Sequence, residues 1–162
     1  MMPFSAARLV LLLGPALLLA ACASQFAQNR QDLASRLQVQ LAPDIAAGRV
    51  ALQPLPDGTR VTLVEPSFYE NGGGTLSESG RNILTSVIQA LLDPALMRID
   101  VTAAPPTPGG LAEARAQAVL QVFKDASLGP SLQPAPAQPV LPPGGIGATP
   151  PGVAIDLGVV RG

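Results

Sequence analysis

The stretch "LMRIDVTAAPPTPGGLAEARAQAVL", residues 96–120, changes its apolar period halfway along. Leu96, Arg98 and Asp100 alternate with Met97, Ile99 and Val101, the period of two that a half-buried strand shows. From Leu111 to Phe123 the spacing becomes helical, with Leu111, Ala114, Ala118, Val119 and Val122 on one side and Gly129-Pro130 as the stop. The junction "TAAPPTPGG", residues 102–110, holds no charge and only two hydroxyls. Helix N-terminal amides point outward at such junctions, which makes them common binding places. A junction almost bare of polar side chains therefore poses the functional question directly.

Upstream lies "GRVALQPLPDGTRVTLVEPSFYENGGGTLSESGRNILTSVIQALLDP", residues 48–94. Val50 and Leu52, then Val61 and Leu63, alternate as strands do, and Pro56-Asp57-Gly58 between them has turn chemistry, Pro fixing φ and Gly allowing positive φ. These predict a hairpin. Thr75 and Glu78 have the spacing of a capping box, and Ile83, Leu84, Val87, Ile88, Leu91 and Leu92 form one helical face that Pro94 closes. Downstream, residues 129–152 carry eight prolines and no charge, a composition that predicts a loop or linker with neither helix nor sheet ladder. As polyproline II it would reach about 75 Å at ~3.1 Å per residue. Residues 153–162, "VAIDLGVVRG", alternate again and fit a last strand.

Composition narrows the class. The chain of 162 residues allows one modest domain with appendages, and its 10 basic against 11 acidic side chains favour no polyanion, so no nucleic-acid partner is expected. With 3 % aromatics, no Trp, 18 Pro and 16 Gly, only part of the chain can be packed core.

At the N-terminus, Arg8 precedes the apolar run Leu9 to Ala21, which Pro15 interrupts and the sole cysteine, Cys22, follows. A spanning helix needs roughly 20 apolar residues, so this shorter run reads as a secretory signal, residues 1–21. Leu19-Ala20-Ala21-Cys22 resembles the lipobox of bacterial lipoproteins. That resemblance implies diacylglycerol on the Cys22 sulfur, cleavage before Cys22 and acylation, as by palmitate, of the new amino terminus. The alternative is a free or buried thiol beside a plain cleavage site. Acyl chains would hold the protein on a membrane without a spanning segment. Ala23 and Ser24 follow, and the absence of Asp at the second mature position resembles lipoproteins sent to the outer membrane. Residues 22–48 form an anchored helix or spacer, in which Phe26, Leu33, Leu37 and Leu41 mark one face and Pro43 is the stop. The stripe suits a helix leaning on its own domain or a partly ordered spacer better than a coiled-coil stalk.

The order of elements and the residues that mark them resemble the OmpA-like C-terminal domain, the peptidoglycan-associating module of outer-membrane proteins, lipoproteins and flagellar stators. "RVTLVEPSFYENGGGTLSESGRNIL" resembles the family's opening, "LMRIDV" its next strand, and "LAEARAQAV" its helix pattern, with Leu111, Arg115, Ala116 and Val119 matching. The match covers residues 49–128, with 153–162 as a possible final strand. It implies an α/β (α+β) two-layer sandwich: a small mixed sheet with two covering helices in β-α-β-α-β order, plus the N-terminal helix and the Pro-rich loop. The family reads peptidoglycan with a Gly-His-Thr-Asp stretch and the helix Arg, whose Asp and Arg hold the charged end of the diaminopimelate side chain. Here Ala103, Ala104, Pro105 and Pro106 stand where that stretch would be, Pro108 and Ala112 replace the usual Asn and Ser, and only Arg115 remains, expected as a solvated side chain that could still attract a carboxylate. The stiff apolar loop of Ala103, Ala104, Pro105, Pro106 and Pro108 suits packing against a protein partner, or is a plain crossover.

Catalysis finds little support. Without histidine, and with Cys22 acylated, Ser-His and Cys-His dyads and thiolate zinc sites are excluded, so no enzyme, metal or cofactor is expected. Glu65 and Glu70, flanking "PSFY", read as solvated loop acids rather than a glycosidase pair, and "GGG" at 72–74 lacks the Lys-Ser or Lys-Thr of a phosphate loop. The expected role is a lipid-anchored scaffold or accessory protein of the cell envelope, on the periplasmic face of the outer membrane, with an eroded peptidoglycan site and an unidentified envelope protein as partner. A noncovalent tether to the wall and a pilotin-like or chaperone-like carrier are the alternatives.

Overall fold

A computed structural model describes residues 13–64, 66–91, 97–103, 110–133 and 152–160. A long helix, α1 (Leu13–Gln40), leads through the one-turn α2 (Ala42–Ala46) into the hairpin of β1 (Val50–Leu55) and β2 (Gly58–Leu63). Then follow α3 (Glu78–Ala90), β3 (Met97–Ala103), α4 (Leu111–Asp125), the short β4 (Ser131–Gln133) and β5 (Val153–Val159). The strands form one sheet of order β1-β2-β5-β3-β4. All neighbours are antiparallel except β3 and β4. This is the expected α/β sandwich, built on a mixed sheet.

Strand alternation divides the sheet into two unlike faces. Val61, Leu63, Ile99, Val101, Val153, Ile155, Leu157 and Val159 join Phe68, Leu84, Val87, Val119 and Phe123 in one buried cluster. Leu33, Leu37 and Leu41 of α1, each with no exposure, belong to the same cluster, and Phe26 packs against it. Among the described residues three helices therefore cover the sheet: the expected pair, α3 and α4, and α1, whose stripe docks on its own domain. On the other face the register sets Arg60 opposite Asp156 and Asp156 opposite Asp100. The facing carboxylates are each given a guanidinium. Arg60 grips Asp156 with Nε at 2.6 Å and Nη2 at 2.8 Å, and Arg98 bridges Asp100 and Asp57, each at 2.8 Å. These hydrogen bonds to carboxylates raise the pKa of both guanidinium groups.

Several local expectations change. The hairpin turn is Pro56–Asp57, with Leu55 opposite Gly58, and Gly58 is not in the positive-φ region. It must be glycine because a Cβ there would stand 1.8 Å from the Leu157 carbonyl oxygen. The α3 cap is Ser77 instead of Thr75: its Oγ accepts from the Gly80 amide at 3.2 Å and donates to the Ser67 carbonyl at 2.8 Å. Ile83, Leu84 and Val87 are buried on α3, whereas Ile88 is half-buried and Leu91 has left the helix in extended backbone. Leu92, Pro94 and Leu96 lie outside the described residues. Pro43 does not end helical structure but starts the turn of α2, where its missing N–H is harmless. Within the stretch expected to lack any ladder, Ser131–Gln133 pair in parallel with Asp100–Thr102. An edge strand needs a ladder on one side only, and these three residues sit between Pro130 and Pro134 with all their N–H groups intact.

The candidate Arg115–Tyr69 site and its structural relatives

The end of β2, the end of β3 and the start of β5 all lie at one end of the sheet, since Leu63, Ala103 and Val153 are in register there. After β2 the chain folds into short 3-10 turns at Pro66–Phe68 and Glu70–Gly72. It then returns through a bridge between Tyr69 and Leu76. The Glu70 amide donates to the Thr75 carbonyl at 2.8 Å and the Gly73 amide to the Glu70 carbonyl at 2.7 Å. Between them Asn71 and Gly72 take left-handed backbone, at φ 49° and 70°. Gly74 is pressed so closely on α4 that a Cβ would stand 2.8 Å from that of Ala114.

Arg115 clamps this loop to α4. Its Nε donates to the Gly73 carbonyl at 2.9 Å, its Nη2 donates to the Gly72 carbonyl, and its guanidinium carbon lies 4.5 Å from the centre of the Tyr69 ring. Tyr69 is 4 % exposed, and its hydroxyl has no hydrogen-bond partner among the described residues. Burial pushes the Tyr69 phenol well above its ordinary pKa, and the nearby Arg115 charge opposes that shift only in part. The expectation of a solvated Arg115 is thus corrected: the residue is half-buried and occupied by carbonyls and a ring. Chemically, the guanidinium keeps its charge and N–H groups beyond the two in use, so it can still receive one anionic group.

Of the residues expected to form a partner loop, Ala103 is the last of β3, and Ala104, Pro105, Pro106 and Pro108 lie outside the described residues. Cys22 falls within the backbone span of α1. Glu65 lies outside the described residues, and Glu70 faces Arg81 at 3.7 Å. No group of three His, Cys, Asp or Glu among the described residues could hold a metal ion, and no described helix is long and apolar enough to cross a membrane. Sequence reading passed over Tyr69 and the Gly72 and Gly73 carbonyls, because they meet Arg115 across more than 40 positions and backbone acceptors leave no mark in a sequence.

No family model matches the sequence, and no curated protein matches it significantly. Solved structures do match. The cell wall anchor of the T6SS from Pseudomonas aeruginosa aligns with a TM-score of 0.54 at 20% identity, over 77% of this chain and 97% of that one. A MotB-like protein from Desulfovibrio vulgaris aligns with a TM-score of 0.62 at 12% identity, over 84% of this chain and 98% of that one. At these identities the likeness concerns architecture, and by architecture the chain has the OmpA-like fold.

Proposed function

We propose that this chain is a lipid-anchored envelope protein, held by an acylated Cys22 at the periplasmic face of the outer membrane, whose OmpA-like domain is structural and grips peptidoglycan weakly or not at all. The observation that carries this reading is the engagement of Arg115 with the carbonyls of Gly72 and Gly73 and with the Tyr69 ring. The one charged residue matching the family's wall-binding set is already used to hold the fold's own loop. Its acidic counterpart is absent, since Ala103 to Pro106 supply no carboxylate for an ammonium group. A hydrogen bond to a charged group contributes roughly 1.5 to 3 kcal/mol, so the loss of one or two weakens binding by about one to four orders of magnitude. The domain then serves as a scaffold or accessory part of an envelope assembly.

Sedimentation of residues 24–162 with isolated sacculi, beside an OmpA-like domain that has the full motif, tests the reading. Little or no co-sedimentation is expected. Comparable binding by the two, abolished by Arg115→Ala, would restore the second reading, a noncovalent tether. Two observations favour that second reading: the charge that Arg115 retains, and the likeness to a protein described as a cell wall anchor. The anchor is tested separately by Cys22→Ala, which should move the protein from the membrane to the soluble fraction.

A further inference from the structure

The direction of α1 sets which end of the domain meets the membrane. The Arg30 guanidinium donates to the Pro56 carbonyl at the hairpin turn, and Phe26 already packs on the core. The helix then runs along the sheet through Leu33 and Leu37 to Leu41, and β1 starts beyond it at Val50, opposite Leu63. The start of α1 thus lies at the Pro56–Asp57 end, and its close lies at the end that holds Arg115, Tyr69 and the Gly72–Gly73 carbonyls. The same assignment follows from β5, whose Val159 amide donates to the Asp57 carbonyl at 2.8 Å while its Val153 stands opposite Leu63.

Resting on the proposed Cys22 anchor, we infer that the hairpin-turn end of the sheet lies against the phospholipid surface and that the Arg115–Tyr69 end faces away from it. The four steps from Cys22 to Phe26 span ~6 Å as helix and at most about 14 Å fully extended. So short a leash cannot let a docked domain turn over. From Cys22 to the end of α1 at Gln40, the helix rises by about 27 Å. The loop end is therefore presented roughly that far from the lipid surface, toward whatever lies across the periplasm. The hairpin-turn end, with Pro56 exposed and Asp57 engaged by Arg98, is the surface that the lipid covers.

The test uses the full lipidated protein in vesicles of phosphatidylethanolamine and phosphatidylglycerol, with one added cysteine at Pro56→Cys or Thr75→Cys carrying a fluorophore. Both positions are exposed, and Pro56 acts on Arg30 through its backbone carbonyl, which the substitution keeps. Acylation leaves the Cys22 sulfur unlabelled. With a quencher on the lipid headgroups, quenching at position 56 should exceed that at position 75 severalfold. Inserting ten Gly/Ser residues after Gln25 should bring the two close together. Equal quenching in the unmodified spacer, stronger quenching at 75, or a difference that survives the insertion would each overturn the inference while leaving the anchor intact. Release of both labelled proteins from the vesicles would overturn the anchor itself, and the inference with it.

Discussion

The two faces of the sheet are held by different physics although the same strands build them. On the helix side, side chains such as Leu157 and Phe123 have no exposure and no polar atoms, so cohesion there comes from water exclusion and close packing. On the opposite side, Arg60, Asp156, Arg98 and Asp100 alternate along the strands with residues such as Leu157 and are held by charge-assisted hydrogen bonds. The Arg115 clamp belongs with the second kind. The lesson is that packing sets whether this domain folds, whereas pairing sets register and the shape of its loops. Partly exposed ion pairs are individually weak, but facing carboxylates leave only one arrangement of partners acceptable.

The contrast can be broken from its strong side first. Phe123→Ala removes the largest α4 side chain from the cluster and should lower stability by about 3–5 kcal/mol, a large share of the ~5–15 that a domain has. Urea unfolding measures it, and a loss under about 1 kcal/mol would mean that α4 does not pack on the sheet. Alkaline pH probes the junction of the two kinds of cohesion at Tyr69. With its folded pKa raised by burial, the tyrosine contributes stability that is complete below its ordinary pKa near 10 and is lost as pH rises through the folded value. Above about pH 10, stability should fall by roughly 1.4 kcal/mol per pH unit. Tyr69 is the only tyrosine and there is no Trp, so phenolate absorbance reports this residue alone. The phenolate should appear together with cooperative unfolding, and a smooth titration near pH 10 in the folded protein would contradict the burial.

Weaker effects are expected from pairing alone. Arg115→Lys replaces the two-pronged donor by a point charge and should cost about 1 kcal/mol. Its sharper mark should be faster hydrogen exchange of the Gly73 amide, with the protection of α3 and β5 unchanged. Asp156→Asn leaves Arg60 without its carboxylate, yet both side chains are partly exposed, at 18% and 23%. After allowance for solvent screening the expected loss is below about 1 kcal/mol, and it should shrink further in high salt. A loss of several kcal/mol, insensitive to salt, would show that the face carrying Arg60 and Asp156 is as dry as the other.

What the sequence disclosed follows the same division. Apolar period, with turn and stop residues beside it, placed the hairpin, α3, β3, α4 and β5, because packing leaves a trace in the spacing of Val, Leu and Ile. The α1 stripe was visible too, but Phe26, Leu33, Leu37 and Leu41 look alike whether they cover their own sheet or a partner's. Ser77 and Thr75 both suit a cap, and only the hydrogen bond from Gly80 decides between them. Ser131–Gln133 was hidden by flanking prolines that forbid a central strand but not an edge. Arg115 was legible as the matching family residue, yet its partners were not, since the acceptors are glycine carbonyls and the ring comes from a distant turn.

The place of β5 has a further consequence for how the molecule is made. It lies between β2 and β3 but follows every other described strand in sequence. Until residues 153–159 arrive, β1–β2 and β3–β4 are two separate strand pairs with an unfilled slot between them, and neither pair is a stable unit by itself. Cooperative folding therefore waits for the last strand, and pairings so far apart in sequence close slowly. The order of the strands therefore holds back native structure until residues 153–159 are free to enter the slot.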